Sequence, residues 1–229
     1  MTSVEEYLED IRTAIIKGND KSSPEACLNA LNNNVDPLTI LNEGLMAGAD
    51  VVGKKFEKGE YFLPQLMLTG RALKAAMTVI EPVLKEHYSA VGKSGDTGVV
   101  VIATVQTDIH DIGKNIVSSM LTASGFEVHD LGVDVPIKAI IAKAQEVSAD
   151  IIGCSALLTT SMPFMRDLID LLEAMGERNR FKVMVGGASV NPDFAVRIRS
   201  DGTAPNAVQA VQLAQRLIRE QRAEREGSL

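Results

Sequence analysis

The first 88 residues carry their apolar positions at the three-to-four spacing of amphipathic helices. On the first predicted helix this face is formed by Val4, Leu8, Ile11 and Ile15. A second helix is expected to begin with Ser23 as N-cap and Pro24 at its first position. The third and fourth are expected at residues 36–57 and 63–87. Four helices joined by short turns predict an antiparallel bundle.

Beyond residue 98, short apolar runs of strand length alternate with helical patterns. The strand-like runs are residues 98–105, 126–132, 150–155 and 181–187. The helices that follow them are expected at residues 113–124, 136–147, 161–175, 193–199 and 204–224. This alternation predicts a parallel sheet covered on both faces, which is a doubly wound, flavodoxin-like or Rossmann-like α/β fold. In such a fold, ligands bind at the C-terminal ends of the strands.

A short polar stretch separates the two halves. Residues 89–98, SAVGKSGDTG, are small, polar and rich in glycine, which is the composition of a linker. We therefore predict a helical-bundle domain at residues 1–90, a linker that acts as a hinge at 91–98 and an α/β domain at 99–229.

Composition and charge narrow the function classes. The chain of 229 residues has a formal net charge of −7 and a pI near 5.1, which argues against nucleic acid or an anionic membrane as partner. The N-terminal segment has no signal-peptide pattern, and no apolar run is long enough to span a bilayer. The two cysteines, Cys27 and Cys154, are far apart and are expected to be reduced, partly buried thiols. We therefore expect a cytoplasmic protein.

The loop after the first predicted strand holds the most reactive set of side chains. Asp108 and His110 are two residues apart, so in an extended segment their side chains point the same way. A histidine that binds a metal through one nitrogen usually donates its other N–H to a carboxylate, and Asp108 is placed to accept it. Gly113 permits either close approach of a bulky group or a positive φ. From these residues alone, a hydrogen-bonded structural pair is the favoured interpretation.

Two further strand ends carry small or hydroxyl side chains. Ser155 comes directly after the third strand and cannot cap the next helix, whereas Ser161 is a candidate N-cap for it. Gly186 and Gly187 follow the fourth strand, where they indicate either a tight turn or a wall against which a long ligand lies. They are not part of a G-x-G-x-x-G dinucleotide fingerprint.

Together these segments resemble the cobalamin-binding signature D-x-H-x-x-G…S-x-L…G-G. The matching residues are Asp108-Ile109-His110-Asp111-Ile112-Gly113, Ser155-Ala156-Leu157 and Gly186-Gly187. The helical half resembles the cap domain of methyl-carrying corrinoid proteins in the stretch VGKKFEKGEYFLPQ, residues 52–65. The resemblance covers nearly the whole chain. Its members are the small corrinoid proteins of methylamine, methanol, betaine and methoxyarene methyltransferase systems, and it extends to the cobalamin module of methionine synthase.

The resemblance implies cobalamin (a corrinoid, bound as methylcobalamin) as cofactor and assigns each matching residue a role. His110 is the ligand to the cobalt, Asp108 holds its far nitrogen, and Ser155 extends this relay. Gly186 and Gly187 line the slot for the nucleotide tail. The remaining cofactor contacts are Asp111, Ile112, Gly113, Leu157 and Thr159 in the α/β half, with Phe56 and Leu63 over the upper face of the corrinoid. Without the resemblance, Phe56 and Leu63 would equally suit the core of one continuous helix.

The function implied by the resemblance is that of a methyl carrier, one component of an enzyme system. A substrate-specific methyltransferase delivers the methyl group, and a second methyltransferase passes it to a folate or thiol acceptor. A reductive activase is a further expected partner. No zinc-type His/Cys cluster indicates a substrate site, so the substrate is expected to bind the partner. The alternatives are a cobalamin-sensing transcription regulator, the cobalamin-binding subunit of a mutase, or a purely structural α/β domain.

Overall fold

The structure, a computed structural model, describes residues 3–88 and 96–226. The chain divides into two compact units, Met1–His87 and Tyr88–Leu229. The first is helical, and the second contains a parallel sheet covered by helices. The predicted fold class is therefore confirmed. Within the described ranges, no helix combines the length and apolar character that a membrane span requires.

The helical unit, over its described residues, contains five α-helices and one π-helical segment. Their bounds are α1 Val4–Ile16, α2 Ser22–Asn32, α3 Pro37–Thr39, the π-helix Ile40–Met46, α4 Ala47–Glu57 and α5 Leu63–Tyr88. The pieces from α3 to α4 follow one another directly and occupy the predicted third helix. Asp36 caps this run, because its carboxylate accepts the N–H of Thr39 at 2.9 Å.

The start of α2 corrects the prediction that Ser23 is its N-cap. The cap residue is Lys21, and the Oδ1 of Asn19 accepts the N–H groups of Lys21 and Ser22 at 3.1 Å each. Ser23 is the second residue of α2 and is fully buried, and its hydroxyl donates to the carbonyl of Ala72 on α5 at 2.8 Å. A buried hydroxyl needs a partner, and here the neighbouring helix supplies it.

Close packing of α1 explains the glycines in the π-helix and α4. A Cβ added at Gly44 would lie 2.9 Å from a methyl of Ile11, and one at Gly48 would lie 3.0 Å from Ile15. Both isoleucines are fully buried. Glycine therefore lets the two helical segments approach closely enough to bury the apolar face of α1.

Between residues 96 and 226, the α/β unit has four strands and five α-helices. In chain order they are β1 Val99–Thr104, α6 Ile112–Ala123, β2 Glu127–Asp130, α7 Ile137–Glu146, β3 Ile151–Ser155, α8 Pro163–Ala174, β4 Lys182–Gly186, α9 Pro192–Arg197 and α10 Ala207–Glu226. All strands are parallel, in the order β2-β1-β3-β4. Helices α6 and α10 pack against each other, as do α7 and α8. The two central strands, β1 and β3, are apolar and buried because helices cover both faces of the sheet there, whereas the edge strand β2 is polar and partly exposed.

The strand order determines where a ligand can bind. After β1 the chain moves to β2 at one edge, and it then returns to place β3 on the other side of β1. The loops that leave β1 and β3 therefore run in opposite directions and open a crevice at their C-terminal ends. The segments with Asp108 and His110 and with Ser155 and Leu157 leave these two strands.

The C-terminal end of the predicted linker belongs to the α/β unit. Asp96 forms an ion pair with Arg219 of α10 at 2.9 Å, and the carbonyl of Thr97 accepts from Arg222 at 2.8 Å. Residues 96–98 therefore contact α10 of the α/β unit, and the hinge at 91–98 stays a prediction. The rest of the predicted hinge, residues 91–95, lies outside the described residues.

Candidate functional site

The loop after β1 is a tight turn and not the extended segment that we expect from sequence. Thr107 has a φ of +69°, and the N–H of Asp108 donates back to the carbonyl of Val105 at 3.2 Å. The hydroxyl of buried Thr104 donates to the carbonyl of His110 at 2.9 Å, which closes the loop. Asp108 and His110 do meet, but through this turn rather than through the alternation of a strand.

Asp108 is the centre of the site. Its side chain has no exposed surface, and its Oδ1 accepts both the backbone N–H of His110 at 3.0 Å and the Nδ1–H of the imidazole at 2.7 Å. Its Oδ2 accepts the N–H groups of Leu157 and Leu158 at 2.7 and 2.9 Å. Burial raises the pKa of Asp108, but these four hydrogen bonds outweigh it and hold the pKa below its ordinary value. Asp108 is thus a carboxylate that fixes the ring of His110.

The second ring nitrogen of His110 is available to a ligand. The side chain is 48% exposed. Because Nδ1 faces Asp108, the bond to the carboxylate favours the tautomer with its proton on Nδ1 and a lone pair on Nε2. Among the described residues, none forms a hydrogen bond with Nε2. A half-exposed imidazole with a fixed orientation and a free Nε2 is suited to bind a metal at this edge of the sheet.

Ser155 does not extend the relay as we expect from the resemblance. Asp108 uses its remaining oxygen for the amides of the loop after β3, and within the described residues no hydrogen bond joins it to the hydroxyl of Ser155. The hydroxyl that does lie under the loop is that of Ser161, which is fully buried and 3.0 Å from the hydroxyl of Thr107. Ser161 is consequently not the N-cap of α8, where Met162 has that position.

The first turn of α6 presents an open surface beside His110. Asp111 precedes the helix and accepts from the side-chain amide of Asn115 at 3.1 Å, and Ile112 is its first residue. Gly113 lies in the helix, so the alternative of a positive φ is wrong. A Cβ added at Gly113 would meet no atom within 4 Å. The space above this glycine is therefore open to a bulky group.

Apolar side chains surround His110 on the exposed edge. Leu157 is exposed in the loop after β3, as is Thr159. Three further exposed apolar residues are not part of the sequence prediction: Ile109, Val133 and Leu158. Such an apolar rim around one polar nitrogen is typical of a ligand site. The exposure of these side chains cannot be read from a sequence without the loop geometry.

The two glycines after β4 have different surroundings. Gly187 has a φ of +118°, and a Cβ there would lie 1.9 Å from the carbonyl oxygen of Ala156. The close approach of the Ala156 carbonyl therefore requires glycine at position 187, which agrees with the alternative of a tight turn. A Cβ at Gly186 would meet nothing within 4 Å. Gly186 is therefore the position where a side chain would enter the space that we assign to the tail of the ligand.

A buried lysine near the site was missed by sequence reasoning. Lys114 follows Gly113 on α6, and its side chain is 1% exposed. Its ammonium donates to both carboxylate oxygens of Asp130 at the end of β2 and to the side-chain carbonyl of Asn115, the latter at 2.7 Å. A sequence signal for it existed, because Lys114 lies close to the apolar face of its helix. A lysine in such a position is rarely buried without a partner.

In the helical unit, Phe56 and Leu63 are exposed by 44% and 63%. Phe56 lies in the last turn of α4 and Leu63 begins α5, with Gly59 at a φ of +72° between the two helices. The alternative that they are core residues of one continuous helix is therefore wrong. Phe62, Met67 and Leu68 are also exposed. We call residues 56–68 the exposed apolar segment.

The chemistry of the edge fits a corrinoid. Within the described part of the chain, no group of three or more His, Cys, Asp or Glu residues is arranged to hold a metal ion. A corrinoid needs no such group, because its macrocycle supplies the ligands in its plane and the protein adds a single axial donor. His110 offers that donor, and the open positions at Gly113 and Gly186 leave room for a large planar molecule with a tail.

Comparison with known proteins gives the family. A profile described as a B12 binding domain matches residues 98–212, and a second profile with the same description matches residues 7–81. Dimethylamine corrinoid protein 1 of Methanosarcina acetivorans is 43% identical over 216 residues, which are 94% of this chain and 99% of that protein.

Two solved structures are similar to the chain. The monomethylamine corrinoid protein of Methanosarcina barkeri matches with a TM-score of 0.84 and 37% identity, covering 94% of this chain and 100% of that one. The methanol:cobalamin methyltransferase complex of the same organism matches with a TM-score of 0.51 and 30% identity, covering 94% of this chain and 80% of the matched one.

Proposed function

The chain belongs to the family of corrinoid proteins with B12 binding domains, and from this premise we propose that it carries a methyl group between two methyltransferases on a corrinoid held by His110. The observation that carries the proposal is the pairing of a fixed imidazole with a free Nε2. A histidine buried in the core would have both ring nitrogens hydrogen-bonded, whereas His110 has its Nδ1 bonded to the buried Asp108 and a side chain that is 48% exposed.

The corrinoid, when bound, supplies a cobalt that accepts a methyl group from one partner and releases it to another. The residues of this chain orient and tune that centre. Asp108 holds the ring of His110 in one orientation. The side chain therefore loses no further conformational freedom when Nε2 binds a ligand.

The exposed apolar segment of the helical unit supports a covering role. Phe56 and Leu63 offer apolar area without any polar group, which suits the exclusion of water from a reactive methyl group. In this proposal the helical unit moves aside for each transfer, because a covered methyl group is inaccessible to a partner.

The partners follow from the relatives. The matched methanol:cobalamin protein is part of a methyltransferase complex, which supports a methyltransferase partner here. We propose a substrate-specific methyltransferase as methyl donor, a second methyltransferase that serves a folate or thiol acceptor, and a reductive activase. Relatives named for dimethylamine, monomethylamine and methanol share this architecture, which supports the view that the substrate binds the partner and not this chain.

The full-length relatives also weigh against the alternatives. They are corrinoid proteins of methyltransferase systems over 94% of this chain, a helical unit included. A mutase subunit would need no such unit, and a regulator would need a DNA-binding helical domain beside it. We also propose a cytoplasmic location, since Cys27 and Cys154 are both buried free thiols, as is usual in a reducing compartment.

Reconstitution with methylcobalamin tests the function. The wild-type protein should bind it with the spectrum of a corrinoid whose own base is displaced and replaced by a protein nitrogen. His110→Ala should retain corrinoid but show the spectrum of a complex without an axial nitrogen. An unchanged spectrum in His110→Ala would show that His110 is not the ligand, and a protein that binds no corrinoid would refute the proposed function as a whole.

A further inference from the structure

The loop after β2 contacts the histidine loop through one residue, Asp134. Its carboxylate Oδ1 accepts the N–H of Thr107 at 2.7 Å, and its own N–H donates to the carbonyl of Asp108 at 2.9 Å. The next residue, Val135, continues the attachment by donating to the carbonyl of Thr104 at 3.1 Å. The backbone on both sides of Thr107 is thus tied to a loop that is not part of the signature motif.

The backbone at this contact is unusual. Thr107 has a φ of +69° and Asp134 a φ of +53°, so two non-glycine residues in the left-handed region face each other. Threonine is poorly suited to this conformation because of its branched Cβ, and it keeps it only when its surroundings impose it. The carboxylate of Asp134 is the group that satisfies the N–H of Thr107 in this conformation.

The loop that carries Asp134 is itself anchored at its other end. Asp130 receives the buried ammonium of Lys114 and accepts the N–H of Gly132 at 2.8 Å. Gly132 in turn accepts from the N–H of Thr104 at 3.0 Å. With both ends fixed, residues 130–135 form a rigid support under the histidine loop.

We propose that Asp134 is a positioning residue for the Asp108–His110 pair. It sets the turn at Thr107 so that the carboxylate of Asp108 reaches the ring of His110 on one side and the amides of Leu157 and Leu158 on the other. This inference rests on the proposed function, in which His110 is the axial ligand. Asp134 need not touch the corrinoid for this role, because it acts through the backbone of residues 107 and 108.

Asp134 contributes an acceptor for the N–H of Thr107 and a backbone that adopts a positive φ. Three substitutions separate these two contributions. Asp134→Asn keeps an oxygen acceptor for Thr107 and a side chain that tolerates positive φ, so it should behave as wild type. Asp134→Gly keeps the backbone freedom but removes the acceptor. Asp134→Ala removes the acceptor and adds backbone strain. Ser148→Ala is the matched control, because Ser148 is exposed with a φ of +53°, in the turn before β3 and at the opposite end of the sheet.

The first measurement uses the protein without corrinoid. Hydrogen exchange of the Leu157 and Leu158 amides reports on the position of Asp108, to which both donate. Asp134→Ala and Asp134→Gly should exchange these amides about tenfold faster, the effect of one lost hydrogen bond to a charged group. Asp134→Asn and Ser148→Ala should leave them unchanged. Equal exchange in Asp134→Ala and Ser148→Ala would overturn the inference.

The second measurement uses the methylcobalamin complex. Acid releases the histidine from the metal, and weaker ligation moves the midpoint of this spectral change to higher pH. Asp134→Ala and Asp134→Gly should raise the midpoint by about one pH unit, equivalent to tenfold weaker ligation, with rescue in Asp134→Asn. A midpoint equal to that of wild type in all variants would overturn the inference even if His110 is the ligand. Absence of any histidine-dependent change in wild type would instead refute the proposed function.

Discussion

The edge of the sheet around His110 and the exposed apolar segment of the helical unit are built by opposite means. At the edge, a buried carboxylate has both oxygens hydrogen-bonded, and each bond has a defined direction. In residues 56–68, large apolar side chains are exposed: those of Phe56, Phe62, Leu63, Met67 and Leu68. A group that binds a metal must be held at one position, whereas a surface that covers a ligand needs area and freedom to move away. Substitutions at the edge are therefore expected to remove a defined interaction and to have large effects. Substitutions in the apolar segment are expected to have small effects that vary gradually with the area removed.

The largest effect is expected from Gly187→Val. A Cβ at this position would lie 1.9 Å from the carbonyl oxygen of Ala156, with a φ of +118° that valine rarely adopts. The free energy of unfolding of the α/β unit should fall by about 3 kcal/mol or more, measured by chemical denaturation without corrinoid.

Gly186→Val is the control for this prediction. A side chain there enters open space, so the variant should keep its stability. Its affinity for the corrinoid should fall at least tenfold, or about 1.4 kcal/mol, because the valine occupies the proposed tail slot. Stability equal to wild type in Gly187→Val, or full affinity in Gly186→Val, would remove the distinction between the two glycines.

The next largest effect is expected from Asp108→Asn, which should change how the free energy of unfolding depends on pH. Because the pKa of Asp108 is lowered in the folded protein, its carboxylate stabilises the fold above its ordinary pKa of 3.8. This contribution should be lost as pH falls through the lower folded-state pKa. The wild-type free energy of unfolding should decline below about pH 4, and the decline should be smaller in Asp108→Asn.

In the corrinoid complex, Asp108→Asn should keep the histidine ligand but change how the Co(II)/Co(I) midpoint potential depends on pH. Identical pH dependence of both the stability and the midpoint in wild type and variant would show that Asp108 is not coupled to His110.

The smallest effect is expected from Phe56→Ala in the apolar segment. Its side chain is 44% exposed, so removing it creates no cavity and should change stability by less than about 1 kcal/mol. Corrinoid affinity should stay within a few-fold. Photolysis of the bound methylcorrinoid should be faster, because an apolar cage favours recombination of the separated radicals. Photolysis at the wild-type rate would remove Phe56 from the cover, and Val4→Ala, another exposed apolar residue, serves as control.

The fold could be predicted because its pattern is repeated. The central strands β1 and β3 are apolar runs, and α1 has apolar residues on a single face. The errors fall at helix starts. Ser23 and Ser161 resemble caps in sequence, but both are fully buried and bonded to neighbours that are distant in sequence. Such a partner is a property of the packing and not of the local sequence.

The site could be predicted only in part, for a similar reason. The Asp108–His110 contact was expected from the chemistry of metal-binding histidines, although a tight turn and not an extended segment brings the two side chains together. The other partners of Asp108 are backbone N–H groups, which every residue but proline has, so no sequence pattern distinguishes them. Sequence assigned a hydroxyl, that of Ser155, where the structure uses two amides. Likewise, only geometry separates Gly187, required by the backbone, from Gly186, beside open space.

Electron paramagnetic resonance of the Co(II) corrinoid complex tests the central claim most directly. The signal is split by the nitrogen that ligates the cobalt, and ordinary nitrogen gives a triplet whereas nitrogen-15 gives a doublet. The protein should be prepared with nitrogen-15 histidine and loaded with corrinoid of ordinary isotope composition. If His110 is the axial ligand, the splitting is a doublet, and His110→Ala abolishes it. A triplet in the labelled wild-type complex would show that the corrinoid's own base still binds the cobalt and would contradict this account.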